Sequence, residues 1–364
     1  MNESFPLREL TIEITKQCPM KCIICSSEAG SKDLNEMSLS ELKRIVDDAK
    51  VLGLKTVVLS GGEPLESTNT VDFIRHIKQN GLELNLYSCG NLKKGLNGIG
   101  PLPNSLLKDL KELNVDKIIF SIHGPDPEIH DAITSKKGSF SNLMTSIKRA
   151  NKIGHHIELH FVPILQNYLT LSKVVQLAKD LKINRISILR FVPQGRGLSN
   201  RDSLEIKDDK ILELKNILDG ILKDKQVEIR LGTPFNCFHL DCQSNCSAGI
   251  TKATIRPDGL VVPCVSMKRV GFSNSLDDIH STTLETIWKT SKLFDYIRKY
   301  HKKIGLSRCN SCDYYPICKG GCLTQRLIRT DSVDGVDSYC LFKKDNNRET
   351  LIQNGKKGRV LIDS

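Results

Sequence analysis

The sequence predicts an α/β fold: a partial (β/α)6 barrel followed by a small cysteine-rich domain with a β-hairpin. Three observations carry this. Up to residue 232, short β-branched runs alternate with longer amphipathic segments, the pattern of parallel strands joined by crossover helices. Beyond Thr233 the composition shifts abruptly, and nine of the thirteen cysteines lie between 237 and 340. Within that region Pro257-Asp258-Gly259 is a turn signal between two strand-like runs, so a hairpin is expected there.

Taken in order, strands are predicted over 10–15, 56–60, 83–88, 117–121, 157–162 and 185–190. Helices are predicted over 39–52, 70–80, 104–113, 139–153, 170–182 and 208–224. Ser38-Leu39-Ser40-Glu41 reads as a helix start. Gly53, Gly81 and Gly154 each follow a helical pattern and suit C-terminal caps. Gln194–Asp209, rich in Gly, Ser, Asn and Asp, reads as a linker, and a further strand is expected over 227–232. The expected organisation is a barrel over 1–232, a cysteine-rich domain over 233–342 and a basic tail over 343–364. In such barrels chemistry gathers at the C-terminal ends of the strands.

Composition narrows the function classes. The chain has 364 residues, enough for a large core, and a formal net charge of +11. That charge allows an anionic partner: nucleic acid, a membrane surface or an acidic peptide. The lysines are dispersed, densest at 292–303 and around Lys343, Lys344, Lys356, Lys357 and Arg359, so a solvated basic surface is the plain reading. Aromatics make up 5%, too few for an obvious single-strand stacking platform, and nucleic acid is not the expected partner. The opening MNESFPLREL lacks a signal-peptide pattern, and no run approaches the roughly 18 apolar residues that span a bilayer. A cytoplasmic protein without a membrane partner is expected. In that setting thirteen cysteines, an odd number, favour metal or cluster ligation over disulfides.

The chemistry-bearing motif is Cys18, Cys22 and Cys25, spaced C-x3-C-x2-C directly after the first strand. A [4Fe-4S] cluster normally takes four thiolates, so three leave one iron open to a small molecule. A second motif, Gly61-Gly62-Glu63-Pro64, ends the second strand. Glycines there let the backbone approach a ligand, and a carboxylate can pair with an ammonium. The plain alternatives are a structural zinc site for the cysteines and a simple turn for the glycines.

The two motifs, in this order and each after a strand, resemble the radical S-adenosylmethionine (radical SAM) superfamily. The resemblance implies that Cys18, Cys22 and Cys25 hold a [4Fe-4S] cluster that binds SAM, and that Gly61, Gly62, Glu63 and Pro64 hold the SAM amino group. It further implies that SAM is reductively cleaved to a 5′-deoxyadenosyl radical, which abstracts hydrogen from a substrate. Ser121, at the end of the fourth strand, is the candidate for the SAM ribose or carboxylate. His123 stands where many relatives carry Asp, and reads as facing substrate or as a structural histidine. Cys89 reads as a hydrogen donor or as a buried apolar group. Arg190, ending the sixth strand, reads as pairing with a SAM or substrate carboxylate or with a neighbouring protein carboxylate.

Downstream, Gly259 lies five residues before Cys264, and Cys309, Cys312, Cys318 and Cys322 run as C-x2-C-x5-C-x3-C before Cys340. This resembles the SPASM extension of radical SAM enzymes, which implies two auxiliary [4Fe-4S] clusters. The first would use Cys246, Cys264, Cys322 and an upstream ligand, Cys242 preferred over Cys237 or His239. The second would use Cys309, Cys312, Cys318 and Cys340. Zinc remains the alternative. SPASM proteins mostly act on ribosomally made peptides or proteins, by crosslinking, oxidation or epimerisation. A peptide or protein is therefore the expected substrate, with a small molecule of cofactor or tetrapyrrole synthesis as the second reading and a non-catalytic iron–sulfur carrier as the third. An electron donor such as flavodoxin or ferredoxin is the expected partner.

Overall fold

A computed structural model describes residues 5–30, 36–232, 235, 246–268, 270–271, 277–302, 309, 312–330, 335–340 and 360–361. The strands are β1 (Glu9–Glu13), β2 (Thr56–Ser60), β3 (Glu83–Ser88), β4 (Asn91–Lys94), β5 (Gly98–Pro101), β6 (Lys117–Ser121), β7 (Ile157–Phe161), β8 (Arg185–Ile188), β9 (Glu228–Leu231), β10 (Lys252–Ile255) and β11 (Val261–Val262), with a separate two-residue pair, β12 (Val270–Gly271) and β13 (Val360–Leu361). One sheet has the order β11-β10-β1-β2-β3-β6-β7-β8-β9, parallel throughout except for the β10–β11 hairpin.

From β1 to β9 the order follows the chain without reversing. Crossovers of one hand then place every connecting helix on one face. A doubly wound sheet would reverse at a switch point, and this one does not. Alternation along the strands agrees. Leu10 and Ile12, Val57 and Leu59, Leu84 and Leu86, Ile118 and Phe120, Leu159 and Phe161, and Ile186 and Ile188 join the large core beneath the helices. The intervening residues make a polar inner face, where Lys117 bonds Glu158 at 2.8 Å and the Arg230 guanidinium donates to Ser187 at 2.8 Å. A sheet with one apolar and one polar face curls around the polar one, giving the expected partial barrel.

The predicted helices appear at Leu39–Val51, Thr70–Gln79, Asn104–Glu112, Ser139–Ile153, Leu171–Asp180 and Asp208–Ile221, within a few residues of their expected ends. Ser38 caps the first through a capping box with Glu41. Four features go beyond or differ from expectation. The β4–β5 hairpin and the helix Pro127–Thr134 are additional; Asp126 caps that helix and Pro127 opens it, a signal present in the sequence. The C-terminal hairpin does not stand apart, because β10 pairs in parallel with β1, Glu9 opposite Lys252. Gln194–Asp209 is no linker, since it forms the short helices Arg196–Ser199 and Arg201–Leu204 and packs on the cysteine loop.

The C-terminal region also seals the outer wall. Arg44 donates to the Ile279 carbonyl at 2.8 Å, Leu284 N–H donates to Asp48 at 2.9 Å, and Trp288 donates to the Phe5 carbonyl at 2.8 Å. Among the described residues no helix is long and apolar enough to cross a membrane.

Candidate active site at the cysteine loop

The loop carrying Cys18, Cys22 and Cys25 leaves β1 and closes on itself where Gly30 N–H donates to the Lys16 carbonyl at 2.8 Å. Three walls hold it. On the β2 side, Gly62 N–H donates to Thr15 at 2.6 Å and Glu63 N–H to Gln17 at 2.7 Å. A Cβ on Gly61 would lie 2.6 Å from the Thr15 oxygen, and one on Gly62 would overlap the Gln17 carbonyl. The glycines thus let the second motif lie against the first. On the β6 side, Lys21 and Ile23 N–H groups donate to the end of the helix Pro127–Thr134, at Thr134 and Ile133. On the β8 side, Arg196 donates to the carbonyls of Cys22 at 3.0 Å and Ala29 at 2.6 Å, and Asn200 to that of Ile23 at 3.2 Å. Gly195, at φ +54, has no room for a Cβ between Cys25 and Ser26. Arg196 and Gly195 were not singled out from sequence; a Gly-Arg-Gly in a polar stretch carries the same letters as a linker.

A fourth support comes from the C-terminal region. The Lys268 ammonium pairs with Glu13 and donates to Ser26 at 3.1 Å and Ser27 at 2.6 Å, and both ion-pair partners are buried. It ties the hairpin to the residues that follow Cys25.

The Cys22 thiol lies within electrostatic reach of Cys18 and Cys25. Burial, and then the thiolate charges of Cys18 and Cys25, push the Cys22 thiol well above its ordinary value, with Arg196 opposing. Three cysteines carried on one loop, with Cys22 close to the other two, are a donor set of the kind that ligates an iron–sulfur cluster. The Cys89 thiol hydrogen-bonds Cys18 and is pushed well up by that bond and by burial.

Glu63 is fully buried, and its carboxyl accepts from Cys89 N–H at 2.6 Å, the Ser88 hydroxyl at 3.1 Å and Leu65 N–H at 3.3 Å. Burial pushes it up to about 7 against those donors. Its carboxyl is therefore hydrogen-bonded to the end of β3. Pro64 opens a short 3-10 turn after it. Ser121 ends β6, half-buried, and its hydroxyl makes no hydrogen bond among the described residues. His123, two residues on, is buried. Its N–H donates to His130 Nδ1 at 3.1 Å, its carbonyl accepts from Asn167 at 3.0 Å, and its own Nδ1 has no partner among the described residues. Arg190 pairs with a protein carboxylate, Asp337, at 2.6 Å, with both side chains essentially fully buried.

The C-terminal cysteines fall into two neighbourhoods. Cys246 is exposed and lies close enough to Cys264 for that residue's charge to act on its thiol. Cys322 is raised to about 12 by burial and then by Asp337, with Cys246 also contributing. Separately, Cys309, Cys312, Cys318 and Cys340 line one cavity with Asp337. The Cys309 thiol is raised by burial, then by Cys340 and Cys312. Cys237, His239 and Cys242 lie outside the described residues, as does the basic tail apart from Val360–Leu361.

Comparison with known proteins accords with this geometry. The Radical SAM superfamily model matches residues 12–193, and the SPASM iron–sulfur cluster-binding domain matches 246–313. A PqqA peptide cyclase from Ruegeria pomeroyi is 27% identical over 347 residues, 93% of this chain and 88% of that protein. An AdoMet-dependent heme synthase from Methanosarcina barkeri is 22% identical over 357 residues, 92% of this chain and 97% of that protein. Streptococcus suis SuiB, solved bound to S-adenosylmethionine, superposes with a TM-score of 0.73 at 21% identity, over 93% of this chain and 78% of SuiB. Iron–sulfur and SAM binding follow from the two domain matches. The chain belongs to the radical SAM superfamily and carries a C-terminal SPASM iron–sulfur domain.

Proposed function

We propose that this enzyme modifies a ribosomally synthesised peptide or protein by radical hydrogen abstraction. The observation that carries the reading is the similarity to PqqA peptide cyclases across 93% of the chain, spanning both the cysteine loop and the C-terminal cysteines. When bound, the cluster supplies one-electron reduction of SAM, and the radical released takes hydrogen from substrate. The chain's own residues do the rest. Cys18, Cys22 and Cys25 ligate one cluster. The turn Gly61–Pro64 fixes the cysteine loop through the N–H groups of Gly62 and Glu63 and offers backbone to the SAM amino group. Ser121, with an uncommitted hydroxyl at the barrel mouth, is suited to bond SAM.

Two auxiliary clusters complete the reading, one on Cys246, Cys264, Cys322 and Cys242, the other on Cys309, Cys312, Cys318 and Cys340. A reductant of flavodoxin or ferredoxin type supplies the electron, in the cytoplasm. The similarity to heme synthases supports a second reading, a small tetrapyrrole substrate.

The test is incubation of the reduced protein and SAM with a short peptide encoded beside its gene, read by mass spectrometry. 5′-Deoxyadenosine together with a peptide that has lost hydrogens supports the first reading. Modification of a tetrapyrrole with the peptide untouched supports the second and defeats the first.

A further inference from the structure

Asp337 lies between the two groups of C-terminal cysteines and is fixed on every side. Its Oδ1 accepts from Arg190 at 2.6 Å and Tyr339 N–H at 2.9 Å, and its Oδ2 accepts from Cys322 N–H at 2.8 Å. Its backbone carbonyl accepts from Cys340 N–H at 3.0 Å. Cys322 belongs to the first group and Cys340 to the second, so one residue bonds a ligand of each. Gly321, at φ +77, is obligatory because a Cβ there would overlap the Asp337 carboxylate. Arg190 is equally constrained: it stacks 3.6 Å over the Tyr339 ring and donates to Ser338 at 2.7 Å. It stands just past β8, so the pair also joins the barrel rim to the cysteines.

We propose that Arg190 and Asp337 are positioning residues that seat both auxiliary clusters against the barrel and set their reduction potentials, the Asp337 charge lowering them and the Arg190 charge raising them. A buried ion pair does no more for stability than well-packed apolar residues of the same volume. Retaining two charges out of water next to predicted ligands of two clusters is explained by what those charges do to the clusters. Cluster potential follows net charge, hydrogen bonding and solvent exposure, and buried charges act with little screening. Asp337 lines the cavity of Cys309, Cys312, Cys318 and Cys340, its charge acts on Cys309 and Cys318, and its carboxylate accepts from the backbone of Cys322. It therefore reaches both clusters at once.

The proposal rests on the two-auxiliary-cluster reading, and the test separates the two. The full chain with Cys18→Ala, Cys22→Ala and Cys25→Ala keeps only the auxiliary sites. It is reconstituted with iron and sulfide, its iron is counted, and its potentials are titrated by electron paramagnetic resonance. Asp337→Asn is expected to shift them upward, Arg190→Gln downward, and the double variant to return close to the parent. If Asp337→Asn loses its iron because Arg190 is stranded, the downward shift of Arg190→Gln and its reversal in the neutral double variant carry the proposal. Full iron with unmoved potentials, or single-variant shifts of the same sign, would overturn it and leave the pair a plain brace. A parent background that takes up no iron removes the auxiliary clusters themselves and defeats both.

Discussion

The N–H of Gly62 donates to the carbonyl of Thr15 at 2.6 Å, so the glycine motif after β2 is bolted to the strand that delivers the cysteine loop. Two motifs whose residues lie 36 to 46 positions apart in sequence are therefore one structural unit. Gly62→Ala would drive a Cβ into the Gln17 carbonyl and displace the loop. Loss of most of the Cys18/Cys22/Cys25 iron and of 5′-deoxyadenosine formation is expected. Gly220→Ala is the control, in a helix with open space at Cβ, and should stabilise by about 0.5–1 kcal/mol. Chemical denaturation and iron counts check both.

Lys268 and Glu13 make a second long-range bond to the same loop. Lys268→Met strands the buried Glu13 carboxylate, and a loss of about 3–5 kcal/mol is expected. Adding Glu13→Gln should recover much of it, because the uncompensated charge is gone. A double-mutant cycle from urea unfolding measures the coupling. Additive losses would show that the pair does not hold the loop.

His130 gives a pH dependence. It is buried, it accepts the His123 N–H, and burial pushes it down to about 4. A histidine whose folded value lies below its unfolded value contributes stability above about pH 6.5, and that stability is lost as pH falls through about 4. Between pH 7 and pH 5 wild type should lose about 2 kcal/mol relative to His130→Gln. Parallel pH profiles of the two proteins check this, since losses common to both cancel.

The upstream auxiliary ligand can be decided directly. Cys242→Ala should cost one cluster, about four irons, and Cys237→Ala none. The reverse pattern would assign Cys237.

Much of this was legible in the sequence because it is local. Strand–helix alternation, the Ser38 capping box, the Pro257-Asp258-Gly259 turn and the cysteine spacings each depend on neighbours a few residues away. What was not legible is long-range. Lys268 meets Glu13 across 255 positions, and Arg196 meets Cys22 across 174. The stretch after Gln194 has linker composition because glycine and asparagine serve close backbone packing as well as flexibility. Arg190 was legible as a carboxylate partner, but Asp337, three residues before Cys340, lies 147 positions away and nothing local joins the two.

The most direct measurement is the iron and sulfide content of anaerobically reconstituted wild type and of the Cys18→Ala/Cys22→Ala/Cys25→Ala variant. About twelve irons falling to about eight, with loss of 5′-deoxyadenosine formation, is the result predicted for one SAM-binding cluster and two auxiliary clusters. About four irons in wild type, with zinc in the C-terminal region, would contradict it and make those cysteines a structural staple.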